Sequence, residues 1–216
     1  MLFENNIYQN IMIDEIKQLL KHEAEAVLKI PVNNSFEKAV NLLFKHVHEL
    51  KGKIVASGMG KAGQIALNMS TTFSSTGTPA VFMHPSEAQH GDLGILQEND
   101  IMLLVSNSAK TREVIELVEL AGRFNPQIPF ILITGNPEGN LAKKAAVTIA
   151  TGMPKEVCVL GLTPTTSTTT MTVIGDILVV LLMKKVGFTS EDYAKLHHGG
   201  YLGQKSREQA ENGCIH

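Results

Sequence analysis

The sequence predicts an α/β fold in which a five-stranded parallel sheet is flanked by helices on both faces, with further helices at the amino terminus. Short apolar runs alternate along the chain with segments of helical periodicity, and a polar loop joins most runs to the next helix. The runs are uninterrupted, as expected of strands covered on both faces. They predict strands at residues 53–56, 79–83, 101–105, 129–134 and 147–150.

The first 50 residues carry two helical patterns and no obvious chemistry. Apolar side chains recur at helical spacing from Asn10 to Leu28, and Pro31 ends that helix. Asn34 or Ser35 caps a second helix. A length of 216 residues suits one domain, so we expect residues 1–216 to form a single unit on which residues 1–50 pack.

Composition restricts the partners. The formal net charge is −2 with acids and bases interspersed, which gives no footprint for nucleic acid or an anionic membrane, so a small-molecule partner is expected. The two cysteines, Cys158 and Cys214, form no disulfide framework or metal motif, which suits a reducing cytoplasm. The amino terminus does not resemble a signal peptide. The apolar run at 173–183 is too short to span a bilayer, and predicts a buried helix in which Asp176 is a hydrogen-bonded structural residue.

A glycine loop from Ser57 to Gly63 lies between the first strand and its helix. Gly58, Gly60 and Gly63 allow a sharp turn and close approach of a ligand, and the helix start offers N–H groups to a phosphate. The sequence of this loop matches the dinucleotide-binding motif G-x-G-x-x-G. However, the second strand is followed by His84 rather than by the acidic residue with which a dinucleotide-binding fold holds the ribose hydroxyl. Lys61 fits a small phosphorylated ligand; the alternative is a solvated surface charge.

Two further loops are rich in hydroxyl groups. Ser106, Asn107, Ser108 and Thr111 follow the third strand, where side chains and amides could bind phosphate oxygens. Plain helix capping is the alternative, although capping needs one such residue. The segment 163–170, which includes Thr166 and Ser167, precedes an apolar helix expected from Met171 and could line the same pocket. The alternative interpretation is that this segment is only a stretch of low sequence complexity with no role in binding.

Several separated segments resemble one family in order and spacing. They are residues 58–63, 73–79, 84–94, 154–156, 161–168 and 197–203. Together they resemble the sugar isomerase (SIS) domain of D-arabinose-5-phosphate isomerases over nearly the whole chain beyond Lys51. The resemblance implies an α/β/α sandwich that interconverts D-ribulose 5-phosphate and D-arabinose 5-phosphate, towards 3-deoxy-D-manno-octulosonate and surface polysaccharide. It also implies a homotetramer whose pockets are shared between subunits.

The resemblance also implies residue roles. Phosphate would lie against Ser106, Ser108 and Thr111, and the polar catalytic set would be Lys61, His90, Glu113, Glu156 and His197. The chain departs from the family at three points. Ala109 and Lys110 stand where glycine and glutamate are usual, and His198 stands where proline is usual. The family usually continues into a pair of nucleotide-sensing CBS modules, which are not expected here.

Aldose and ketose exchange through an enediol needs one base, one proton donor and charge stabilisation, and no metal or organic cofactor. We expect Glu156 to be the base, with a pKa raised towards neutrality by burial, and Glu113 to orient Lys61 near the phosphate. Each has a structural alternative: Glu113 could only complement a helix dipole, His90 shape a turn, and His197 cap a helix. Two other functions stay open, a non-catalytic phosphosugar sensor and an isomerase of a hexulose or heptulose phosphate.

Overall fold

The computed structural model describes residues 2–211, with the side chains of residues 11–209. It confirms the five-stranded parallel sheet, and the strands run in the order β2-β1-β3-β4-β5. Their bounds are β1 Ile54–Gly58, β2 Ala80–Phe82, β3 Ile101–Val105, β4 Phe130–Thr134 and β5 Val147–Ala150. The first strand therefore includes the first two residues of the expected glycine loop, Ser57 and Gly58.

The described residues form nine α-helices between and around the strands. They are α1 Leu2–Leu28, α2 Ser35–Leu43, α3 Gly60–Ser75, α4 Pro85–Ala88, α5 Arg112–Phe124, α6 Asn140–Lys144, α7 Thr166–Val186, α8 Ser190–Leu196 and α9 Gly200–Glu211. A π-helical turn at Phe44–Glu49 prolongs α2, and a 3₁₀ turn lies at Asp92–Ile95. Two predicted starts are wrong: α1 begins at Leu2 rather than Asn10, and α7 begins at Thr166 rather than Met171.

The sheet carries one apolar core on each face because successive side chains of a strand point to opposite sides. In β3, Leu103 joins a cluster with residues of α2, α3 and α7, whereas Leu104 joins a cluster with residues of α4, α5 and α6. Every residue of β3 and β4 is buried, which explains their uninterrupted apolar sequence. The predicted three-layer arrangement is confirmed.

The strand order creates a switch point between β1 and β3. The chain leaves β1 into α3 on one face of the sheet and leaves β3 into α5 on the other face, as the two core clusters show. Loops that diverge in this way leave a crevice beyond the carboxyl ends of the two strands, where ligands bind in open parallel sheets. We therefore expect the binding site there.

Helix α7 is longer than the apolar run predicted. With 21 residues and a mean hydropathy of 1.6 in its most apolar window, it is the one helix among the described residues that is long and apolar enough to cross a membrane. Half of that window is buried within the fold, where α7 packs against α3, α2 and α1. The prediction for Asp176 is wrong, because its side chain lies on the exposed face of the helix.

Candidate functional site

A cavity of about 300 Å³ lies in the crevice between β1 and β3. Six of the predicted site residues line it: Lys61, Ser106, Asn107, Ser108, Thr111 and Ser167. Of the other lining residues, Met59 and Ala62 belong to the predicted glycine loop and Pro164 and Thr168 to the predicted segment 163–170. The sequence did not single out Val105 and Met171 as site residues. Since three separate chain segments meet here, the cavity brings together the glycine loop and both hydroxyl-rich loops.

Three helix starts converge on this cavity. The lining residues come from the first turn of α3, the loop that ends at the N-cap of α5, and the first turn of α7. No side chain caps α3 at Met59 or α5 at Thr111. A helix start presents N–H groups without intrahelical partners and a positive dipole end, so the convergence favours an anion. Lys61 is the only charged lining side chain in the described part of the chain, and its charge has the matching sign.

The hydroxyl groups of the loop after β3 do not act as caps. Ser106 Oγ lies 3.2 Å from Thr111 Oγ1, and Ser108 Oγ accepts the backbone N–H of Lys110 at 3.1 Å. The capping alternative therefore does not account for Thr111, the N-cap residue, because its side chain makes no capping bond. These hydroxyls retain hydrogen-bonding capacity for oxygens of a ligand.

The glycine loop serves packing as much as binding. A Cβ added at Gly58 would lie 2.8 Å from the Val105 oxygen, and one added at Gly63 would lie 2.4 Å from the Gly58 oxygen. Ser57 is buried and donates its hydroxyl to the Met83 carbonyl at 2.6 Å. Ser57 and Gly58 thus lie behind the cavity rather than in its lining. Gly60 does not line the cavity either, and its φ of +58° with open space around it suits the turn that leads into α3.

Glu156 caps the start of α7. Its Oε2 accepts the Thr165 N–H at 2.7 Å, the Thr165 hydroxyl at 2.9 Å and the Ser167 N–H at 3.2 Å. Burial works to raise the pKa of Glu156, but the hydrogen bonds from Ser167 and Thr165 outweigh it and hold that pKa below its ordinary value. The expected rise towards neutrality is wrong. Glu156 does not line the cavity, yet it holds Ser167, which does.

Thr166 points away from the cavity. Its hydroxyl donates to Oε1 of Glu23 at 2.8 Å and accepts the Val157 N–H at 3.2 Å. Glu23 lies on α1, so this contact ties the amino-terminal helix to the start of α7. No local sequence pattern signals this pair, because 143 residues separate its members.

A second cavity of about 450 Å³ adjoins the first and shares Asn107 and Ser108 with it. Lys110 lines this second cavity, so the charge reversal at that position faces the neighbouring space rather than the first cavity. Ala109 is buried and has a φ of +53°. A left-handed conformation suits glycine, which explains why the substitution of alanine for glycine is a strained one.

Residues 49–181 match the SIS domain. The match covers the whole sheet and all of the cavity lining. This chain belongs to the SIS domain family. It is 44% identical over 191 residues to the arabinose 5-phosphate isomerase KdsD of Yersinia pestis, covering 88% of this chain and 56% of the relative. The chain thus spans little more than half the length of that relative.

Two solved structures resemble this SIS-domain protein over nearly their whole length. A Bacteroides fragilis protein, provisionally assigned as a phosphosugar isomerase involved in capsule formation, is 64% identical with a TM-score of 0.87, covering 88% of this chain and 99% of the other. An Escherichia coli protein solved in complex with arabinose 5-phosphate is 33% identical with a TM-score of 0.78, covering 88% and 98%.

Besides Ser57, Gly58, Gly60, Glu156 and Thr166, three further predicted residues lie outside both cavities. Glu113 is half-buried in the first turn of α5, and His90 is exposed in the turn after α4. His197 follows α8 and lines a separate cleft of about 660 Å³ against α3 and β2. The structure of one chain therefore brings Lys61 to the phosphate loops but leaves both histidines apart from them.

Possible metal ligands and the cysteine residues were the remaining functional groups considered from the sequence. No group of three or more His, Cys, Asp or Glu side chains that could hold a metal ion occurs among the described residues. Hydrogen bonds from Thr163, Leu162 and Leu160 lower the pKa of Cys158 to about 6. Cys214 lies outside the described residues.

Proposed function

We propose that this protein is an aldose–ketose isomerase that interconverts D-ribulose 5-phosphate and D-arabinose 5-phosphate through an enediol. The observation that carries the proposal is the cavity at the switch point, where three helix starts, Lys61 and the hydroxyls of Ser106 and Thr111 face one space. This donor-rich, positively polarised site suits a phosphate monoester. We also propose that residues 1–216 form one SIS-domain unit.

The relatives support the choice of substrate. The Yersinia pestis relative is an arabinose 5-phosphate isomerase, and the Escherichia coli relative was solved with arabinose 5-phosphate bound. The Bacteroides fragilis relative is associated with capsule formation. By this similarity, the product would feed synthesis of 3-deoxy-D-manno-octulosonate for a capsule or lipopolysaccharide.

The proposed mechanism moves one proton between C1 and C2. The carboxylate of Glu156 acts as the base through Oε1, because Oε2 is occupied by its bonds to Thr165 and Ser167. Lys61 stabilises the negative charge of the enediolate or phosphate. His197 opens the sugar ring or transfers hydroxyl protons, with His90 in support, and Glu113 orients Lys61. No step requires a metal ion or an organic cofactor.

Because His197 and His90 lie away from the cavity of their own chain, we propose a homotetramer in which neighbouring subunits complete each pocket. Exposed apolar side chains on α1 support an interface there, including Ile13 at 49% and Leu20 at 65% exposure. On α7, Val180 is 48% exposed and lies in the same apolar helix. The proposed setting is cytoplasmic, with no nucleic-acid or membrane partner.

One assay tests the proposed reaction. Purified protein is incubated with ribulose 5-phosphate, a hexulose phosphate or a heptulose phosphate, each with and without a chelator, and the aldose product is followed by NMR. We expect arabinose 5-phosphate to form fastest, at an unchanged rate in the chelator. Loss of activity in the chelator, restored by one divalent ion, would contradict the cofactor-free mechanism.

The same assay separates the other functions. A faster reaction of the hexulose or heptulose phosphate would assign a different phosphosugar. Binding of ribulose 5-phosphate without product, and without exchange of its C2 hydrogen with solvent, would assign a sensor instead.

Light scattering tests the assembly. We expect a tetramer, and a monomer that kept full activity at low concentration would exclude shared pockets.

A further inference from the structure

The orientation of His197 is fixed by one residue, Tyr193. His197 Nδ1 lies 3.0 Å from the Tyr193 carbonyl oxygen, which also accepts the backbone N–H of His197 at 3.0 Å. A carbonyl oxygen can only accept, so Nδ1 must carry the proton of this hydrogen bond. In the neutral ring the lone pair therefore lies on Nε2, the nitrogen directed away from α8.

The same residue stacks on the imidazole. The rings of Tyr193 and His197 are 3.7 Å apart between centroids, with an interplanar angle of 4°. The pair has the (i, i+4) spacing that brings side chains together on a helix surface, which is the signal in the sequence that could have identified Tyr193. Carbonyl and ring together define both the tautomer and the plane of His197.

Tyr193 is itself held by the body of the fold. Phe188 packs edge-on against its ring at 6.4 Å and 72°. Phe188 in turn covers Gly77, where an added Cβ would lie 2.7 Å from Phe188 Cε2. The contacts from Gly77 through Phe188 to Tyr193 therefore connect the turn between α3 and β2 to the imidazole.

Helix α9 also packs on this segment, because a Cβ added at Gly203 would meet the His197 oxygen. Helix α8 has seven residues, none of them buried, and its capping box between Thr189 and Asp192 fixes only its start. His198 and Gly199, which follow, are exposed. The packing of α9 holds the backbone here, whereas the imidazole ring itself contacts the carbonyl and the ring of Tyr193.

We propose that Tyr193 is a positioning residue that presents Nε2 of His197 to the sugar. The inference rests on the proposed function in one respect, that His197 acts on the substrate. Preorientation of a proton-transferring group contributes to turnover rather than to phosphate binding, so loss of the stack should lower kcat and leave KM unchanged.

Four variants test the proposal: Tyr193→Ala, Tyr193→Phe, His197→Ala and the double variant Tyr193→Ala/His197→Ala. Tyr193→Phe keeps the ring and the carbonyl, so we expect a kcat within about 2-fold of the parent. Tyr193→Ala keeps the carbonyl and loses the ring, and kcat should fall roughly 3- to 10-fold, the range for an aromatic pair. In the His197→Ala background the Tyr193→Ala change should have no further effect on kcat.

Other outcomes overturn the proposal. An unchanged kcat in Tyr193→Ala, an equal loss in Tyr193→Phe, or a further loss in the double variant would each show that Tyr193 does not act through His197. A His197→Ala protein with full isomerase activity would instead overturn the assigned role of His197. ¹⁵N NMR of the imidazole separates these cases because it needs no turnover: the parent should show the Nδ1–H tautomer, and an Nε2–H tautomer would refute the geometric argument.

Discussion

Replacing Glu156 with glutamine should separate its two roles, proton transfer and helix capping. Oε2 receives three hydrogen bonds from Thr165 and Ser167 at the start of α7. Glutamine keeps one oxygen that can accept the capping bonds. It removes the carboxylate, so it removes the base while retaining most of the local structure.

The two effects differ greatly in size. Loss of a general base lowers turnover by a factor of ~100 to 10,000. Loss of a negative charge at a helix start costs about 0.3–1 kcal/mol of the free energy of unfolding, and neutral hydrogen bonds are weaker than charge-assisted ones. We therefore expect a total loss near 1 kcal/mol, which is roughly 2–4 °C in Tm for a chain of this size. KM should change little, because the phosphate is held elsewhere.

Both effects are measured on one set of proteins. Steady-state kinetics and exchange of the substrate's C2 hydrogen with solvent report the chemistry, and thermal unfolding reports the cap. Glu113→Gln is the matched control, and we expect it to raise KM as well as lower kcat. If Glu156→Gln exchanged the C2 hydrogen at near the parental rate while Glu113→Gln did not, the assignment of the base would be reversed.

The pH dependence gives an independent check. Because the fold lowers the pKa of Glu156, its carboxylate stabilises the protein above the ordinary value of 4.5, and that contribution is lost as the pH falls through the lowered pKa. The difference in stability between the parent and Glu156→Gln should therefore shrink in acid. A difference that grew below pH 4.5 would contradict the capping role.

Three further predictions concern the loops around the site. Gly63→Ala should cost about 1–3 kcal/mol of unfolding free energy in chemical denaturation, because the new methyl meets the Gly58 oxygen, whereas Gly94→Ala, with open space, should cost under ~1 kcal/mol. Ala109→Gly should change the free energy of unfolding by less than ~1 kcal/mol. Relief of the left-handed φ should stabilise the protein by ~1–2 kcal/mol, whereas the freer unfolded chain (~0.4–1 kcal/mol) and the lost buried methyl (~0.8 kcal/mol) should destabilise it. A larger change would contradict this reasoning. Alkylation of Cys158 in a Cys214→Ser background should reach half its maximal rate near pH 6, because the hydrogen bonds of its loop lower the pKa of the thiol. Thr163→Val should move that midpoint to higher pH. A midpoint above pH 8 in the Cys214→Ser protein would show that the loop does not stabilise the thiolate.

The sequence determined the fold class because the pattern of apolar residues along each strand agrees with the burial of those residues in the sheet. Strands such as β3 and β4 are buried at every position, so they read as continuous apolar runs whatever lies around them. Two of the polar loops that line the cavity follow β1 and β3 directly. Since parallel strands end at one edge of the sheet, Lys61, Ser106 and Ser167 could be assigned to one site from the chain alone.

Helix starts were less predictable from sequence. Helix α7 begins at Thr166, within a run of hydroxyl residues that disfavour helix interiors, because the Glu156 carboxylate satisfies the N–H groups of Thr165 and Ser167. That contact joins residues with no helical or strand periodicity between them. The same contact lowers the pKa of a carboxyl that burial alone was expected to raise.

Tertiary structure alone decided which residues share a space. The strand order set the switch point between β1 and β3, and close packing of α3 on β1 required Gly58 and Gly63, which the sequence pattern attributed to ligand approach. It also placed His197 in a separate cleft, directly after the short helix α8, with its ring against that of Tyr193. Periodicity reports which side of an element is buried, but the partner against which it is buried depends on contacts between distant segments, which no local pattern encodes.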